Sequence, residues 1–357
     1  MKQPSLHELL LRRASTAGAG ADADPSVSSP TAPLEVYDLF AGAGGFSCGA
    51  ALAGCRVVFA CDVNEAALET HARNHPDATH LCAELPAALP LPTARDADRP
   101  FHLHGSPPCQ QFSNVNTTKR STEAREGAID LVEWYLELAL NSHATSWSME
   151  QVATHGLVAI VERVRKRHPR RMAYHVFDLA RLGVPQSRTR LIAGTPALVA
   201  RLVRLCGDER VRAVRDVVDT GRATHLRLSK NWEVQRLRHI RKPGQPKYVY
   251  HAPPLTANSN RVRPVSQPAP TVTCSGDLRW VFWDAQGAVH QKRMRVAHAA
   301  ALQTFPPSYL WPEGVNVAFR QIGNALPPLA AELLLRGGGG AGTPRALAYE
   351  RPAIEAL

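Results

Sequence analysis

A short apolar run that breaks directly into a cluster of glycines sets the strongest limit on this chain. Leu34-Glu-Val-Tyr-Asp-Leu-Phe40 is followed at once by Ala41-Gly-Ala-Gly-Gly45. A run of that length bounded by loop signals reads as a buried strand. Glycines after a strand let the backbone turn tightly and leave room beside the main chain. A helix is then expected from Ser47 to about Ala53.

The same unit recurs. Strands are expected at Arg56–Cys61, Phe101–His104, Ser146–Met149, Met172–Phe177 and Arg190–Ala193, with helices at Asn64–Asn74, Glu123–Leu140 and Thr154–His168 between them. Alternation of this kind predicts a mostly parallel sheet covered on both faces. Further helices are expected over Arg295–Gln303 and Gln321–Leu335.

Composition divides the chain. Residues 14–33 are rich in Ala, Gly, Ser, Asp and Pro and read as a disordered leader, so order is expected from Leu34. Between Ala197 and Tyr250 there are thirteen Lys or Arg against five Asp or Glu, which predicts a second, smaller domain. The expected division is a leader at 1–33, a catalytic domain at 34–194, a basic recognition domain at 195–272, a return to the catalytic domain at 273–335 and a flexible tail at 336–357. The formal net charge of +11 favours an anionic partner, with nucleic acid the commonest. Seven cysteines, irregularly spaced and without a CxxC pair, give no zinc pattern and point to a reducing compartment. Leu9–Leu11 runs straight into Arg12 and Arg13, the wrong flank order for a signal peptide. An intracellular home, cytoplasm or nucleoid, is expected, with no membrane contact.

Four segments carry chemistry. The glycine turn after Asp38, with the amides of the following helix, suits a polar cofactor, although such turns also serve close packing. Its spacing is not the GxGxxG of a dinucleotide site. Asp62 ends the next strand, where an acid can accept from ribose hydroxyls. In Gly105-Ser-Pro-Pro-Cys109-Gln-Gln-Phe112, two prolines fix the backbone before a cysteine at a strand's C-terminal edge. A thiolate so aimed is a nucleophile, and a buried structural cysteine is the alternative. Glu150 follows the next strand toward the same crevice. Gln186-Ser-Arg188-Thr-Arg190 sets two arginines on one side of an extended segment.

Taken together, the chain from Val36 to about Pro328 resembles the DNA cytosine-5 methyltransferase family. The resemblance rests on Asp38-Leu-Phe-Ala-Gly-Ala-Gly-Gly-Phe46, Ser106-Pro-Pro-Cys109-Gln, Glu150-Gln151-Val152, Gln186-Ser-Arg188-Thr-Arg190, Ala300-Ala-Leu-Gln303-Thr-Phe305-Pro306 and Gln321-Ile-Gly-Asn324-Ala325-Leu-Pro-Pro328, in the family's order. It implies an α/β fold, the Rossmann-like class I S-adenosylmethionine-dependent methyltransferase sheet with one reversed strand, and a small target recognition domain. It implies S-adenosyl-L-methionine as cofactor, no metal, and binding residues Phe40, Gly42, Gly44, Gly45, Asp62, Pro107, Asn324 and Ala325. Cys109 is implied as the nucleophile at cytosine C6, Glu150 as the partner of N3 and the exocyclic amine, and Arg190, helped by Arg188, as the group holding base and acid in register. Gln110, Ser113, Gln186, Thr271 and Thr273 are implied as DNA contacts. Double-stranded DNA is the implied substrate of a monomer, and a restriction endonuclease acting on the same site is the implied companion.

The chain departs from the family pattern at Gln151, where an Asn is usual, and at His298 and Ala301, where an acid and an arginine are usual. Cys82 and Glu84 both lie where the family places an acid near the cofactor adenine. An RNA-acting branch of the same architecture carries a Cys-Phe-Thr peptide that this chain lacks.

Overall fold

A computed structural model describes residues 33–93, 99–108, 122–207, 210–218, 247–251, 263–276, 278–283 and 289–336. The first half alternates β1 (Glu35–Leu39), α1 (Gly45–Leu52), β2 (Arg56–Asp62), α2 (Glu65–Asn74), β3 (Thr79–Cys82), β4 (Phe101–Gly105), α3 (Thr122–Asn141), β5 (Ser146–Val152) and α4 (His155–Arg167). Next come β6 (Ala173–Asp178), β7 (Thr189–Gly194) and α5 (Pro196–Leu205). The second half contains β8 (Lys247–His251), β9 (Arg263–Pro264), β10 (Leu278–Trp283), β11 (Val289–Arg293), α6 (Val296–Leu302), α7 (Val315–Asn324) and α8 (Pro328–Leu335).

Seven strands form one sheet in the order β3-β2-β1-β4-β5-β7-β6. Strands β1 to β5 pair in parallel, and β7 runs antiparallel to both of its neighbours. Alternate side chains of each strand feed opposite faces. Tyr37, Leu39, Phe101, Leu103, Trp147 and Met149 pack under α3 and α4, against Tyr135, Leu136, Leu157 and Val161. Val36, Val57, Phe177 and Ile192 pack on the other face with Phe46 and Ala50 of α1, Leu198 and Leu202 of α5, and Ala330 and Leu334 of α8. The mostly parallel α/β sheet is the one the alternation predicts, and its reversed strand is the one the family resemblance implies. Strand β3 is an addition to that prediction, since Thr-His-Leu-Cys carries no long apolar run.

The expected helix over Gln321–Leu335 is two helices. α7 stops at Asn324 and α8 begins at Pro328. Pro327 has no N–H to continue a helix, and it pushes the preceding residue toward extended backbone.

A second, four-stranded antiparallel sheet has the order β11-β10-β8-β9. It does not follow the expected boundaries. β10 and β11 lie beyond residue 272 and still belong to this sheet, whereas α5, beyond residue 194, packs into the core of the large one. Net charge marks where basic residues concentrate, and pairing and burial decide which layer a segment joins. The leader at 1–33 and the tail at 336–357 lie almost entirely outside the described residues.

Candidate active site

The tip of β1 turns through backbone that side chains resist. Phe40 has φ of 57°, Gly42 of 53° and Gly44 of 91°. At Gly44 space is short as well: an added Cβ would lie 2.7 Å from the Tyr309 hydroxyl and 2.9 Å from the His71 ring. At Gly42 an added Cβ would meet nothing within 4 Å, so the turn faces open space there.

Asp62, at the tip of β2, organises the turn. Its Oδ2 accepts from the Gly42 N–H and its Oδ1 from the Asn64 N–H, both at 2.8 Å. The two oxygens together hold four lone pairs, more than these amides and the Val63 N–H occupy, so capacity remains for a ligand hydroxyl. Burial raises the Asp62 pKa, and the amide donors act against that rise. Val63, the next residue, is 66% exposed, a bare apolar surface beside the acid. Cys82 lies opposite Asp62 in the β2–β3 register and is exposed, as is Glu84. Phe40 is half-buried, with the Trp134 ring edge-on at 6.3 Å. Open space over a glycine turn, an acid with spare lone pairs and two apolar faces fit the ribose, adenine and amino-acid parts of S-adenosylmethionine.

Beneath the turn, Ser47 donates to the buried Asp38 carboxyl at 2.7 Å, and His71 Nε2 lies 2.9 Å from the Ser47 hydroxyl. Burial pushes the Asp38 carboxyl up to about 7. The second glycine pair meets the segment after α7: an added Cβ on Gly45 would lie 2.3 Å from the Leu326 carbonyl oxygen. This brings Ala325, half-buried, and Asn324, exposed, to the glycine turn across a long stretch of chain.

The crevice continues along the strand tips to β5 and β7. Glu150 Oε1 lies 2.7 Å from Arg190 Nε, with side-chain exposures of 9% and 15%. Gln151 Nε2 donates to the Pro107 carbonyl at 2.8 Å, while its Oε1 accepts from the Val152 N–H at 2.6 Å. The Ser106 N–H donates to the Leu39 carbonyl at 3.2 Å. The start of the Ser-Pro-Pro-Cys segment is therefore tied to the tips of both β1 and β5. Cys109, Gln110 and Ser113 lie outside the described residues.

The family model for C-5 cytosine-specific DNA methylase matches residues 34–158, the span that holds the glycine turn, Asp62, the Ser-Pro-Pro-Cys segment and Glu150. Over that span the chain is similar to this family. It is an S-adenosylmethionine-dependent DNA cytosine-5 methyltransferase. It is 27% identical over 323 residues to the Type II methyltransferase M.AplI of Arthrospira platensis, covering 85% of each chain. It is 24% identical over 338 residues to the Type II methyltransferase M1.HphI of Haemophilus parahaemolyticus, covering 84% of this chain and 85% of that one. The S. pombe Dnmt2 methyltransferase structure shares the fold with a TM-score of 0.56 at 18% identity, over 85% of this chain and 97% of that one. The Entamoeba histolytica methyltransferase EhMeth shares it with a TM-score of 0.55 at 12% identity, over 85% and 97%.

Several residues that the family resemblance points to lie elsewhere in this methyltransferase. Arg188 is 1% exposed, and its guanidinium donates to the carbonyls of Val272, Gly323 and Ala325 at 3.1, 2.9 and 3.0 Å. Its cation is spent on backbone, so the expected help to the base is corrected to a staple between β7 and two loops. Gln186 is also buried. It donates to the Leu302 carbonyl and Gln303 Oε1 and accepts from the Val272 N–H, each at 2.8 Å, which removes it from the expected DNA contacts. Thr271 donates to the Ser187 carbonyl at 2.6 Å, and Thr273 pairs with Ser275 at 2.9 Å on an exposed turn. Alternation on an extended segment put Arg188 and Arg190 on one side. The departure of the chain from regular strand geometry before Thr189 separates them.

Sequence reasoning gave no role to Gln303 or Tyr309. Gln303 donates to the carbonyls of Ile322 and Ala325 and so braces the end of α7, while the Tyr309 hydroxyl donates to the Ala43 carbonyl and braces the glycine turn. Neither carries a local signal, because each acts on backbone remote in sequence. His298 takes up the Trp280 indole N–H at 3.2 Å, a local use for the position where the family carries an acid. Among the described residues there is no group of His, Cys, Asp or Glu able to hold a metal ion, and no helix is long and apolar enough to cross a membrane.

Proposed function

We propose that this methyltransferase acts on a specific sequence in double-stranded DNA, with Cys109 as its nucleophile and Glu150 and Arg190 as the clamp on the target base. The Glu150–Arg190 pair carries the reading. It lies at the strand tips next to Pro107, two residues before Cys109.

Carbon 5 of cytosine is a weak nucleophile. Attack of the Cys109 thiolate at C6 turns the ring into an enamine that reacts at C5. A proton shared between Glu150 and N3 offsets the charge that develops there, and such placed charge is commonly the largest catalytic contribution. Arg190 occupies Oε1 of Glu150 and leaves Oε2 for the base. S-adenosylmethionine, when bound by Phe40, Gly42, Gly44, Gly45 and Asp62, supplies an electrophilic methyl on a cationic sulfur. Loss of the C5 proton to a water then allows the Cys109–C6 bond to break, which regenerates the thiolate.

C5 and C6 are stacked inside B-form DNA, so the base must leave the helix at a cost of a few kcal/mol. Contacts of the basic segment at 195–272 with phosphate offset this cost and make binding steeply salt-dependent. Target choice rests with that segment and the second sheet. The relatives M.AplI and M1.HphI are Type II methyltransferases, which supports pairing with an endonuclease that cuts the same site. A monomer suffices, since every proposed catalytic residue comes from one chain.

Incubation with tritiated S-adenosylmethionine and mixed-sequence duplex DNA, with tRNA in parallel, tests the substrate. Label recovered as 5-methylcytosine at a recurrent DNA sequence is expected. Label on tRNA alone would assign the protein to RNA.

A further inference from the structure

Central strands of a parallel sheet covered on both faces ordinarily read as continuous apolar runs. Strand β4 departs from this. Its five residues are all buried, yet two of them are His102 and His104. The parallel register sets His102 beside Ser146 and His104 beside Ser148. On this face Phe46 of α1 stacks on His104 with ring centroids 3.5 Å apart and planes 1° from parallel, and on His102 at 5.5 Å.

Hydrogen bonds run through these groups without a gap. Ser146 meets His102 Nδ1 at 2.8 Å, and His102 Nε2 meets Ser148 at 2.9 Å. Ser148 meets His104 Nδ1 at 2.8 Å, and His104 Nε2 meets the Ser106 hydroxyl at 3.0 Å. A neutral imidazole has one donor and one acceptor, and a hydroxyl can serve as both. The ladder therefore closes with both rings neutral, and burial holds both neutral.

Burying imidazoles and hydroxyls costs free energy that an apolar strand would not incur, and hydrogen bonding only offsets it. The ladder runs out of the strand to the Ser106 hydroxyl, and its use lies at that end. Ser106 is half-buried and opens the segment that leads through Pro107 and Pro108 to Cys109. Gln151 holds Pro107, the adjacent residue, from β5. Two consecutive residues at the root of the catalytic loop are thus tethered by side chains, one from each central strand.

We infer that His104, braced by Ser148 and His102, is a positioning residue for methyl transfer: it fixes the Ser106 hydroxyl and, through it, the start of the loop that bears Cys109. The inference rests on the methyltransferase reading of that loop. His104 touches neither base nor cofactor in this role. Phe46, stacked on the ring, follows the glycine turn directly, so the same contact links the cofactor helix to the root of the loop.

Steady-state kinetics on duplex DNA test this with Ser106→Ala, Ser106→Thr, His104→Leu and the Ser106→Ala/His104→Leu double variant. Ser106→Ala is expected to lower kcat by about 10- to 100-fold, the scale of a small misplacement of a reacting group. KM for DNA and the dissociation constant for S-adenosylmethionine are expected to stay within about threefold of wild type on the same ground. Ser106→Thr, which keeps the hydroxyl, should recover most of the loss. The double variant should be no slower than the slower single, because the residues act in series. Wild-type kcat in Ser106→Ala, or multiplying losses in the double variant, would overturn the inference. If His104→Leu does not fold, the Ser106→Ala and Ser106→Thr pair still decides. A wild-type enzyme silent on DNA would instead overturn the methyltransferase reading, and the positioning role with it.

Discussion

Arg190 Nε meets Glu150 Oε1 at 2.7 Å across the antiparallel β5–β7 pair, where Glu150 is opposite Ile192 and Arg190 is two residues farther along. Diagonal neighbours on one face of a sheet lie within reach of long side chains. A planar guanidinium holds a carboxylate in a fixed plane, which an ammonium does not. Arg190→Ala is therefore expected to lower kcat by about 10²-fold and Arg190→Lys to recover only part of it, on the scale of losing one oriented donor. Single-turnover methylation of a duplex target checks this. Activity within twofold of wild type in Arg190→Ala would show that Glu150 needs no holder.

Cys109 is the proposed nucleophile of the covalent step. Cys109→Ser should reduce methylation by ~10³ or more, the scale on which removal of a nucleophile is felt. It should also abolish formation of a denaturant-stable adduct with DNA containing 5-fluorocytosine, whose fluorine cannot leave as the proton does. Equilibrium binding of S-adenosylmethionine should be unchanged. Retained turnover would remove Cys109 from the mechanism.

Gln151 stands where the family usually has Asn, and its longer arm reaches the Pro107 carbonyl while its own oxygen takes the Val152 N–H. Gln151→Ala leaves both backbone groups without these partners in a buried place, at about 1–3 kcal/mol for an orphaned group. A lower melting temperature and a lower kcat are expected together. Gln151→Asn, one methylene shorter, should keep the fold and recover less than full activity. Calorimetry with parallel turnover measurements separates the two effects.

The glycine turn and the acid beside it were legible because their signals are local. A strand, a glycine turn and an acid ending the next strand are read directly from Leu34 to Asp62, and the turn and acid meet through the Gly42–Asp62 hydrogen bond. The arginine motif was only half legible. Arg188 and Arg190 are alike in spacing and chemistry, and only the carbonyls of Val272, Gly323 and Ala325, remote in sequence, separate staple from clamp. The same remoteness hid Gln303 and Tyr309. The extent of the second sheet was hidden because β10 carries three aromatics and little charge, so its composition differs from the basic segment it pairs with.

The Arg188 staple predicts a stability effect without a matching catalytic one. Arg188→Met keeps volume and removes the donors, which leaves the buried Val272 and Gly323 carbonyls to find new partners while Ala325 keeps the Gln303 donor. A loss on the order of 3 kcal/mol or more is expected. The urea midpoint should fall while the folded fraction, measured at low temperature, retains S-adenosylmethionine binding. A variant as stable as wild type would return Arg188 to the list of candidates for the base.

Buried histidines make the fold sensitive to acid. Burial pushes His102 to about 3 and His75 to about 4, and holds His71 and His104 well below the usual imidazole range. Their stabilisation is complete above the unfolded value of 6.5. As pH falls below it, the unfolded chain gains protons that the folded one refuses, and stability is lost down to the folded values. By pH 5 His102 and His75 have each lost about 2 kcal/mol before screening reduces it. Asp38, raised to about 7, acts in the opposite sense: its folded form holds a proton that the unfolded carboxylate releases, so its contribution is full below about 4 and is lost as pH rises toward 7. The lowered histidines, His80 among them, outnumber the raised carboxyls of Asp38, Asp62 and Glu332, and the urea midpoint should fall between pH 7 and pH 5. His75, whose Nε2 is buried without a hydrogen-bond partner, is the one to replace first. His75→Gln should flatten the slope by about one proton's worth, whereas Asp38→Asn should steepen it. Equal slopes in wild type and both variants would mean that these groups take up and release protons alike in the folded and unfolded chains.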